Sequence, residues 1–217
     1  MRMKAICFDM DGVLIDSEWL MAATEQAICR RHGIPVPESE WRSFKGKTNR
    51  EIFGYIVERY GAGRDLDVTQ LSQEKRELYL ERVIGEVKPI PGALEFLERA
   101  RARYKVLGLT TSNSRLVTDH VAHCFKFDSH FDVIITADDV PLGKSKPDPA
   151  PYLLTAARLG VVPAECYVIE DSDNGVLSAV GAGCEVVAIT TSFDESTLRK
   201  AGAHIVASSF VELAWLL

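Results

Sequence analysis

The fold of this chain is decided by residues 5–17, which read AICFDMDGVLIDS. The apolar run 5–8 is short and ends abruptly in acids and a glycine, a pattern that predicts a buried strand delivering carboxylates to a sheet edge. Gly12 lets the backbone turn there, so the carbonyl and the side chain of Asp11 can point in different directions. Asp9 and Asp11 would then suit a hard cation beside a reacting group, although a strand followed by a solvated Asx-type turn fits the same residues.

Composition and net charge indicate a soluble globular protein and argue against some classes of binding partner. The chain has 217 residues, of which 47% are hydrophobic and 26% charged, as is typical of one large or two small soluble domains. Its formal net charge of −6 argues against general affinity for nucleic acid or for anionic membranes. No apolar run is long enough to span a bilayer, and we see no signal peptide. The five cysteines are scattered and form no CxxC pair, so we expect reduced thiols and a cytoplasmic protein, with a monomer as the default.

The pattern of apolar residues divides the chain into two parts. Residues 18–88 have helix-like spacing without a convincing strand, whereas strand-length apolar runs alternate with helix-like segments further on. Such alternation predicts a parallel sheet covered by helices on both faces. We therefore predict an α/β core formed by residues 1–16 and 90–217, with a helical module, residues 17–89, inserted after the first strand. The apolar tail 210–217 is expected to be a terminal helix docked on the core.

The residues that follow each predicted strand form one chemical set. In open parallel sheets, binding sites lie at the carboxyl ends of the strands. The run 110–113 (TTSN) offers hydroxyls and backbone amides at the start of a helix, which suits an anion. Lys146 lies on a later loop, and Glu170 and Asp171 end another strand. Each piece alone could be a helix cap, a surface lysine or a helix-entry acid. Together they predict a site in which acids hold a hard cation and the other groups bind phosphoryl oxygens.

Four segments resemble the haloacid dehalogenase superfamily, in the branch that contains beta-phosphoglucomutase and small sugar-phosphate phosphatases. They are DMDGVLIDSE at 9–18, LTTSN at 109–113, SKPDPAPY at 145–152 and VIEDSDNGVLSAVGAG at 168–183. The resemblance covers essentially the whole chain, and the four segments in this order are highly specific. It implies a Rossmann-like parallel sheet with an α-helical cap over the site, and a small phosphorylated substrate.

The resemblance also implies roles for the acids. Asp9 resembles the nucleophile that forms an aspartyl-phosphate, and Asp11 resembles the general acid that later acts as a base. Mg²⁺ would be held by the side chains of Asp9 and Asp171 and by the backbone carbonyl of Asp11. Glu170 belongs to the same metal site, more as an acceptor of bonds from metal-bound water or Lys146 than as a direct ligand.

Two further groups would bind the substrate. Four residues at the strand ends would balance the negative charge on the transferring phosphoryl group. They are Thr111 through its hydroxyl, Ser112 and Asn113 through their backbone amides, and Lys146 through its ammonium group. In the cap, the segment 45–50 (KGKTNR) resembles the glycine-containing substrate loop of the mutase, with its arginine one residue late. Its candidate contacts are Lys45, Gly46, Lys47 and Arg50, although a solvated basic loop also fits any single one of them.

The remaining question is which reaction the site performs. Dehalogenases and phosphonatases lack the second acid of the opening motif, so the presence of Asp11 sets both aside. In the mutase pattern, a histidine follows the hydroxyl that matches Ser17 by four residues, and Met21 stands there instead. We therefore predict a Mg-dependent phosphatase acting on a sugar or polyol phosphate. The alternatives are a beta-phosphoglucomutase-type mutase and, less favoured because the motif residues are intact, a catalytically silent binding protein.

Overall fold

A six-stranded parallel sheet forms the centre of the computed structural model, which describes residues 3–217. Its strands are β1 (Ala5–Phe8), β2 (Val106–Thr110), β3 (Val133–Ile135), β4 (Cys166–Glu170), β5 (Glu185–Ile189) and β6 (Ile205–Ala207). Their order in the sheet is β3-β2-β1-β4-β5-β6, so the first strand of the chain lies in the middle. The strand order reverses at β1, and such a reversal leaves a crevice at the carboxyl ends of the strands.

Residues 18–88 are helical, as the sequence predicts. This segment contains α1 (Glu18–Arg31), a 3-10 helix (Glu38–Phe44), α2 (Asn49–Tyr60) and α3 (Val68–Glu86). These helices have an apolar cluster of their own, which includes Ile28, Phe44 and Phe53. The two connections to the core run side by side, since the Asp16 amide donates to the Lys88 carbonyl at 2.8 Å. We keep residues 17–89 as the proposed extent of this segment and call it the cap.

Helices cover both faces of the sheet. They are α4 (Ala93–Arg103), α5 (Arg115–Cys124), α6 (Ala150–Leu159), α7 (Asp173–Ala182) and α8 (Glu195–Lys200). Alternate residues of β1 enter two different apolar clusters, with Ile6 and Phe8 in one and Ala5 and Cys7 in the other. A strand buried on both faces reads as a continuous apolar run, which is why 5–8 shows no polar alternation. The predicted α/β fold with a Rossmann-like parallel sheet is confirmed.

The prediction of a terminal helix over 210–217 is wrong. That segment consists of turns followed by a 3-10 helix, Ala214–Leu216, although it does pack on the core. Its buried side chains are Phe210, Leu213 and Leu216, spaced by three. A spacing of three matches the 3.0 residues per turn of a 3-10 helix, whereas an α-helix would carry the third side chain off the apolar face.

Within residues 3–217, no helix is both long enough and apolar enough to cross a bilayer.

Candidate functional site

Lys146 lies at the centre of a buried charge cluster at the carboxyl ends of β1 and β4. Its Nζ donates to Asp9 Oδ1 and to Glu170 Oε1, both at 2.6 Å, and to the Thr110 carbonyl at 3.1 Å. Phe8 pairs with Ile169 in the sheet, so Asp9 and Glu170 leave neighbouring strands at the same level. Lys146 comes from a loop far along the chain and is 3% exposed. The structure thus brings together three residues that the sequence predicts to share a site.

The charges in this cluster depend on one another. Burial raises the pKa of Asp9 well above its ordinary value, and the Lys146 ammonium opposes that shift. Burial by itself would lower the pKa of Lys146, but the carboxylates of Asp9 and Glu170 outweigh it, so this pKa lies above the usual value. Lys146 therefore stays a cation, and its charge opposes the effect of burial on the pKa of Asp9.

Glu170 is fully occupied by hydrogen bonds. Its Oε1 accepts from Lys146 and from the Tyr152 hydroxyl at 2.7 Å. Its Oε2 accepts from the Asp171 and Ser172 amides at 3.0 and 3.3 Å and from the Ser172 hydroxyl at 3.2 Å. A carboxylate with this many partners has little capacity left for a cation, so these contacts favour an orienting role for Glu170 over a direct metal contact.

Asp171 supplies the feature that suits a cation. Ligand oxygens of Asp9, Glu170 and Asp171 lie within 4.8 Å of one another, and all three residues are buried. Asp171 Oδ2 is buried without a hydrogen-bond partner among the described residues. Burial, reinforced by nearby carboxylates including that of Glu18, raises the pKa of Asp171 well above its ordinary value. Crowded carboxylates with an unpartnered oxygen are typical of a site for a hard divalent cation, so the residues present fit Mg²⁺.

Gly12 keeps the space beside Asp171 open. Its φ is 77°, in the left-handed region that favours glycine, and a Cβ atom here would lie 1.9 Å from Asp171 Oδ2. No other residue type fits without displacing the carboxylate. The glycine of the opening motif is therefore required both for its turn and for the close approach of the backbone to this acid.

Asp11 is oriented by two hydrogen bonds. Its Oδ1 accepts from the Ser17 hydroxyl and its Oδ2 from the Asn113 side-chain amide, both at 2.5 Å. Burial raises the pKa of Asp11, although the Ser17 bond opposes the shift. A carboxyl group with a raised pKa and a fixed orientation is suited to deliver and later remove a proton. Ser17 belongs to the same opening segment as Asp11, whereas Asn113 is 102 residues away and is brought to Asp11 by the fold.

The run after β2 does not cap the following helix. α5 begins at Arg115, after Ser114, whereas Thr111 Oγ1 accepts from the Asn113 amide at 3.2 Å. The Ser112 hydroxyl donates to the Gly46 carbonyl in the cap at 2.8 Å. Thr111 and Asn113 are buried at the end of β2. The predicted anion-binding run therefore faces the cap, but the amide of Asn113 is engaged within the run itself.

The cap segment 45–50 meets the core mainly through its backbone. The Lys45 carbonyl accepts from Asn174 Nδ2 at 2.8 Å, and Lys45 Nζ donates to the Ser192 carbonyl at 3.3 Å. Gly46 has a φ of 77° and lies against Ser172. Lys45 and Gly46 thus lie on the seam between cap and core, at the edge of the site.

Arg50 lies elsewhere. It is exposed and lines a cavity of about 280 Å³ between α2 and residues 137–145. The structure does not bring this residue to Asp9 and Lys146. Lys47, by contrast, lines a cavity of about 230 Å³ that also reaches Lys146.

Sequence reasoning missed Lys75, a buried lysine of α3. It is 1% exposed, and its Nζ lies 3.0 Å from Asn49 Oδ1, 3.2 Å from Met21 Sδ and 3.6 Å from Glu25 Oε1. Burial lowers the pKa of Lys75, and the Glu25 carboxylate opposes that shift. One indication was available: the buried stripe of α3 repeats every four residues, and a lysine occupies one of its positions, among Leu71, Lys75, Tyr79 and Val83.

Comparison with known proteins agrees with this geometry. The sequence profile of the haloacid dehalogenase-like hydrolase family matches residues 6–189. The chain is 32% identical to validoxylamine A 7'-phosphate phosphatase of Streptomyces hygroscopicus subsp. limoneus, over 98% of this chain and 96% of that protein. It is 33% identical to the phosphorylated carbohydrates phosphatase of Thermotoga maritima, over 93% and 92%.

A solved structure shows the same architecture. CbbY from Rhodobacter sphaeroides, in complex with phosphate, superposes with a TM-score of 0.85 at 25% identity, over 98% of this chain and 96% of that one. The profile match begins within β1 and extends to the end of β5, so it reaches the carboxyl end of every strand that contributes to the charge cluster. The chain belongs to the haloacid dehalogenase-like hydrolases and is a phosphoric monoester hydrolase of that family.

Proposed function

We propose that this protein is a Mg-dependent phosphatase that hydrolyses a small sugar or polyol phosphate through an aspartyl-phosphate on Asp9. One observation carries the proposal: a buried lysine bridges Asp9 and Glu170 beside an acid whose oxygen Oδ2 has no hydrogen-bond partner in the described chain. The names of two relatives, which specify a validoxylamine phosphate and phosphorylated carbohydrates, support a substrate with many hydroxyl groups.

Asp9 would attack the phosphorus atom of the substrate. A carboxylate oxygen forms the new bond to phosphorus, and the bond between phosphorus and the leaving oxygen breaks. Asp11 in its protonated form would give a proton to that leaving oxygen, and burial favours this form by raising the pKa of Asp11. In the second half-reaction Asp11 takes a proton from water, which attacks phosphorus and frees Asp9. The covalent intermediate divides one difficult displacement into two easier ones.

The surrounding groups balance charge and hold the reacting acids. Lys146 lies against Asp9 and would contact the phosphoryl oxygens, together with Thr111 and the Ser112 amide. Mg²⁺ would be held by the carboxylates of Asp9 and Asp171 and by the carbonyl of Asp11. When bound there, the ion supplies positive charge that stabilises the phosphoryl group in the transition state.

A phosphatase is favoured over a mutase by the environment of Met21. Its thioether lies 3.2 Å from Lys75 Nζ, in the position where the mutase pattern has a histidine. A thioether cannot carry a proton at neutral pH, so it cannot take part in proton control near Asp11 as an imidazole can. Without such control, Asp11 would be free to activate water for attack on an aspartyl-phosphate.

The test is phosphate release from a panel of sugar and polyol phosphates. We expect release in the presence of Mg²⁺, loss of release with EDTA, and recovery when Mg²⁺ is added back. Conversion of beta-glucose 1-phosphate to glucose 6-phosphate without free phosphate would instead identify a mutase. No release from any phosphoester, p-nitrophenyl phosphate included, would contradict the hydrolase proposal. A cytoplasmic, monomeric protein stays our expectation, and size-exclusion chromatography tests the second part.

A further inference from the structure

The two carboxylate oxygens of Glu51 accept hydrogen bonds from different parts of the molecule, one from the cap and one from the core. Its Oε2 accepts from the Thr48 amide at 3.0 Å and from the Thr48 hydroxyl at 2.8 Å, while Thr48 Oγ1 accepts from the Glu51 amide at 3.3 Å. These bonds form the capping box that begins α2. Its Oε1 accepts from the Ser145 hydroxyl on the core. The capping box therefore fixes the oxygen that binds the core.

Ser145 directly precedes Lys146 in a loop whose N-terminal part makes few hydrogen bonds to the rest of the described chain. We call residues 141–149 the lysine loop. Its C-terminal side is tied to the core, since Ser178 Oγ donates to the Asp148 carbonyl at 2.6 Å. Its N-terminal side is exposed, with Leu142 71% exposed. Within the described chain, the hydrogen bonds of 141–145 stay inside the loop, apart from the one between Ser145 and Glu51.

The same contact separates two cavities. Glu51 and Ser145 both line the outer cavity of about 280 Å³, next to Arg50. Glu51 also lines the cavity of about 230 Å³ that reaches Lys146, together with Lys47. A hydrogen bond at this place thus joins the cap to the core one residue before Lys146, whose ammonium group touches Asp9.

We propose that Glu51 is a positioning residue for Lys146, acting through Ser145, so that seating of the cap and placement of the ammonium group occur together. The contact joins the cap helix to the one side of the lysine loop that the core leaves free. The inference rests on the proposed phosphatase function for its kinetic consequence, but the contact itself is testable without it. Because Lys146 balances charge that develops during transfer, its misplacement should lower kcat more than it changes KM.

The first test removes the core side of the contact. Ser145→Ala deletes the hydroxyl and leaves the α2 capping box intact, and we expect kcat to fall about tenfold, the size typical for a hydrogen bond to a charged group. Ser145→Thr keeps a hydroxyl and should retain the wild-type kcat. Asp67→Ala is the matched control. Asp67 is exposed and accepts a hydrogen bond from the Thr69 amide at the start of α3, so this variant also loses one side-chain hydrogen bond. It should lower the free energy of unfolding without changing kcat. A wild-type kcat in Ser145→Ala, or an equal loss in Ser145→Thr, would overturn the proposal.

The second test asks whether the two residues act as a pair. Glu51→Ala should lower kcat at least as much as Ser145→Ala, and the double variant should be no worse than Glu51→Ala alone. Losses that multiply in the double variant would show that the residues act independently and would overturn the proposal.

Hydrogen exchange gives a readout that does not require activity. Backbone amides of 142–146 should exchange faster in Ser145→Ala and in Glu51→Ala than in the wild type or in Asp67→Ala. Unchanged exchange in both variants would overturn the positioning role. If the wild type releases no phosphate from any compound, the proposed function fails, while the exchange data still decide whether Glu51 holds the lysine loop.

Discussion

The two walls of the site are built differently. We call Asp9, Asp11, Lys146 and Asp171 the core face; each is at most 8% exposed. We call residues 45–50 the cap face; its Lys45 and Lys47 are half-buried and its Arg50 is exposed. The core face is held by hydrogen bonds among side chains that follow strand ends and the side chain of Lys146, whereas the cap face touches the core largely through backbone carbonyls. Rigid strand ends suit chemistry that demands exact distances, and a loop held by its backbone leaves side chains free to vary with the substrate.

The largest test of this contrast is removal of the proposed nucleophile. Asp9→Asn should lower kcat by more than about a thousandfold, because an amide cannot form the covalent intermediate. Asp119→Asn, an exposed acid on α5, is the control and should keep wild-type turnover. Steady-state phosphate release measures both. Substantial turnover by Asp9→Asn would remove Asp9 from the chemistry.

The next test concerns the cation of the core face. Lys146→Met should lower kcat about 10²- to 10³-fold, as is typical when one charge-stabilising donor is lost. It should also lower the free energy of unfolding by about 3–5 kcal/mol, because two buried carboxylates lose their partner. Lys144→Met, on the exposed part of the same loop, is the matched control. Steady-state kinetics and urea denaturation measure the two effects. Equal values of kcat and of the free energy of unfolding in the two variants would contradict the role assigned to Lys146.

The cap also contains a buried charge, that of Lys75. Its contribution to the free energy of unfolding can be compared with that of Lys146 in the core face. Lys75→Met should lower the free energy of unfolding by about 3 kcal/mol, because Glu25 is left without its cation. The double variant Lys75→Met/Glu25→Gln should recover much of that loss, since neither charge remains buried. Denaturant titration measures both variants. A double variant that loses the sum of the single losses would show that the two residues do not compensate each other.

The smallest effect is expected at the outer edge of the cap face. Arg50→Ala should change kcat/KM by less than about twofold, because an exposed side chain away from Asp9 gains little from charge interactions. Lys47→Ala should raise KM more, since Lys47 lines the cavity that reaches Lys146. Michaelis constants for one sugar phosphate compare them directly. A larger rise in Arg50→Ala would place the substrate in the outer cavity.

The acids could be predicted from sequence because they belong to strand ends. Asp9 follows an apolar run directly and Asp171 follows one after Glu170, and parallel strands bring such positions to one edge. Lys75 could not be found in the same way, since its burial depends on how α3 packs against α1 and α2. The placement of Arg50 could not be predicted either. This arginine stands one residue later than in the mutase loop, and one residue of offset at the start of a helix turns a side chain by about 100°.

By itself, the sequence determined the α/β fold through the order of its apolar runs and the set of charged groups through its strand-end residues, and the resemblance of four segments indicated the family. The reason is that period and position along a strand are local properties of the chain. Only the tertiary structure decided which groups touch: Ser17 and Asn113 on Asp11, Lys146 between Asp9 and Glu170, and Ser145 on Glu51. Apart from the bond between Ser17 and Asp11, which spans six residues, these contacts join residues far apart in sequence. Their partners are set by the arrangement of strands within the core and, for Glu51, by packing of the cap on the core, and no local sequence pattern predicts them.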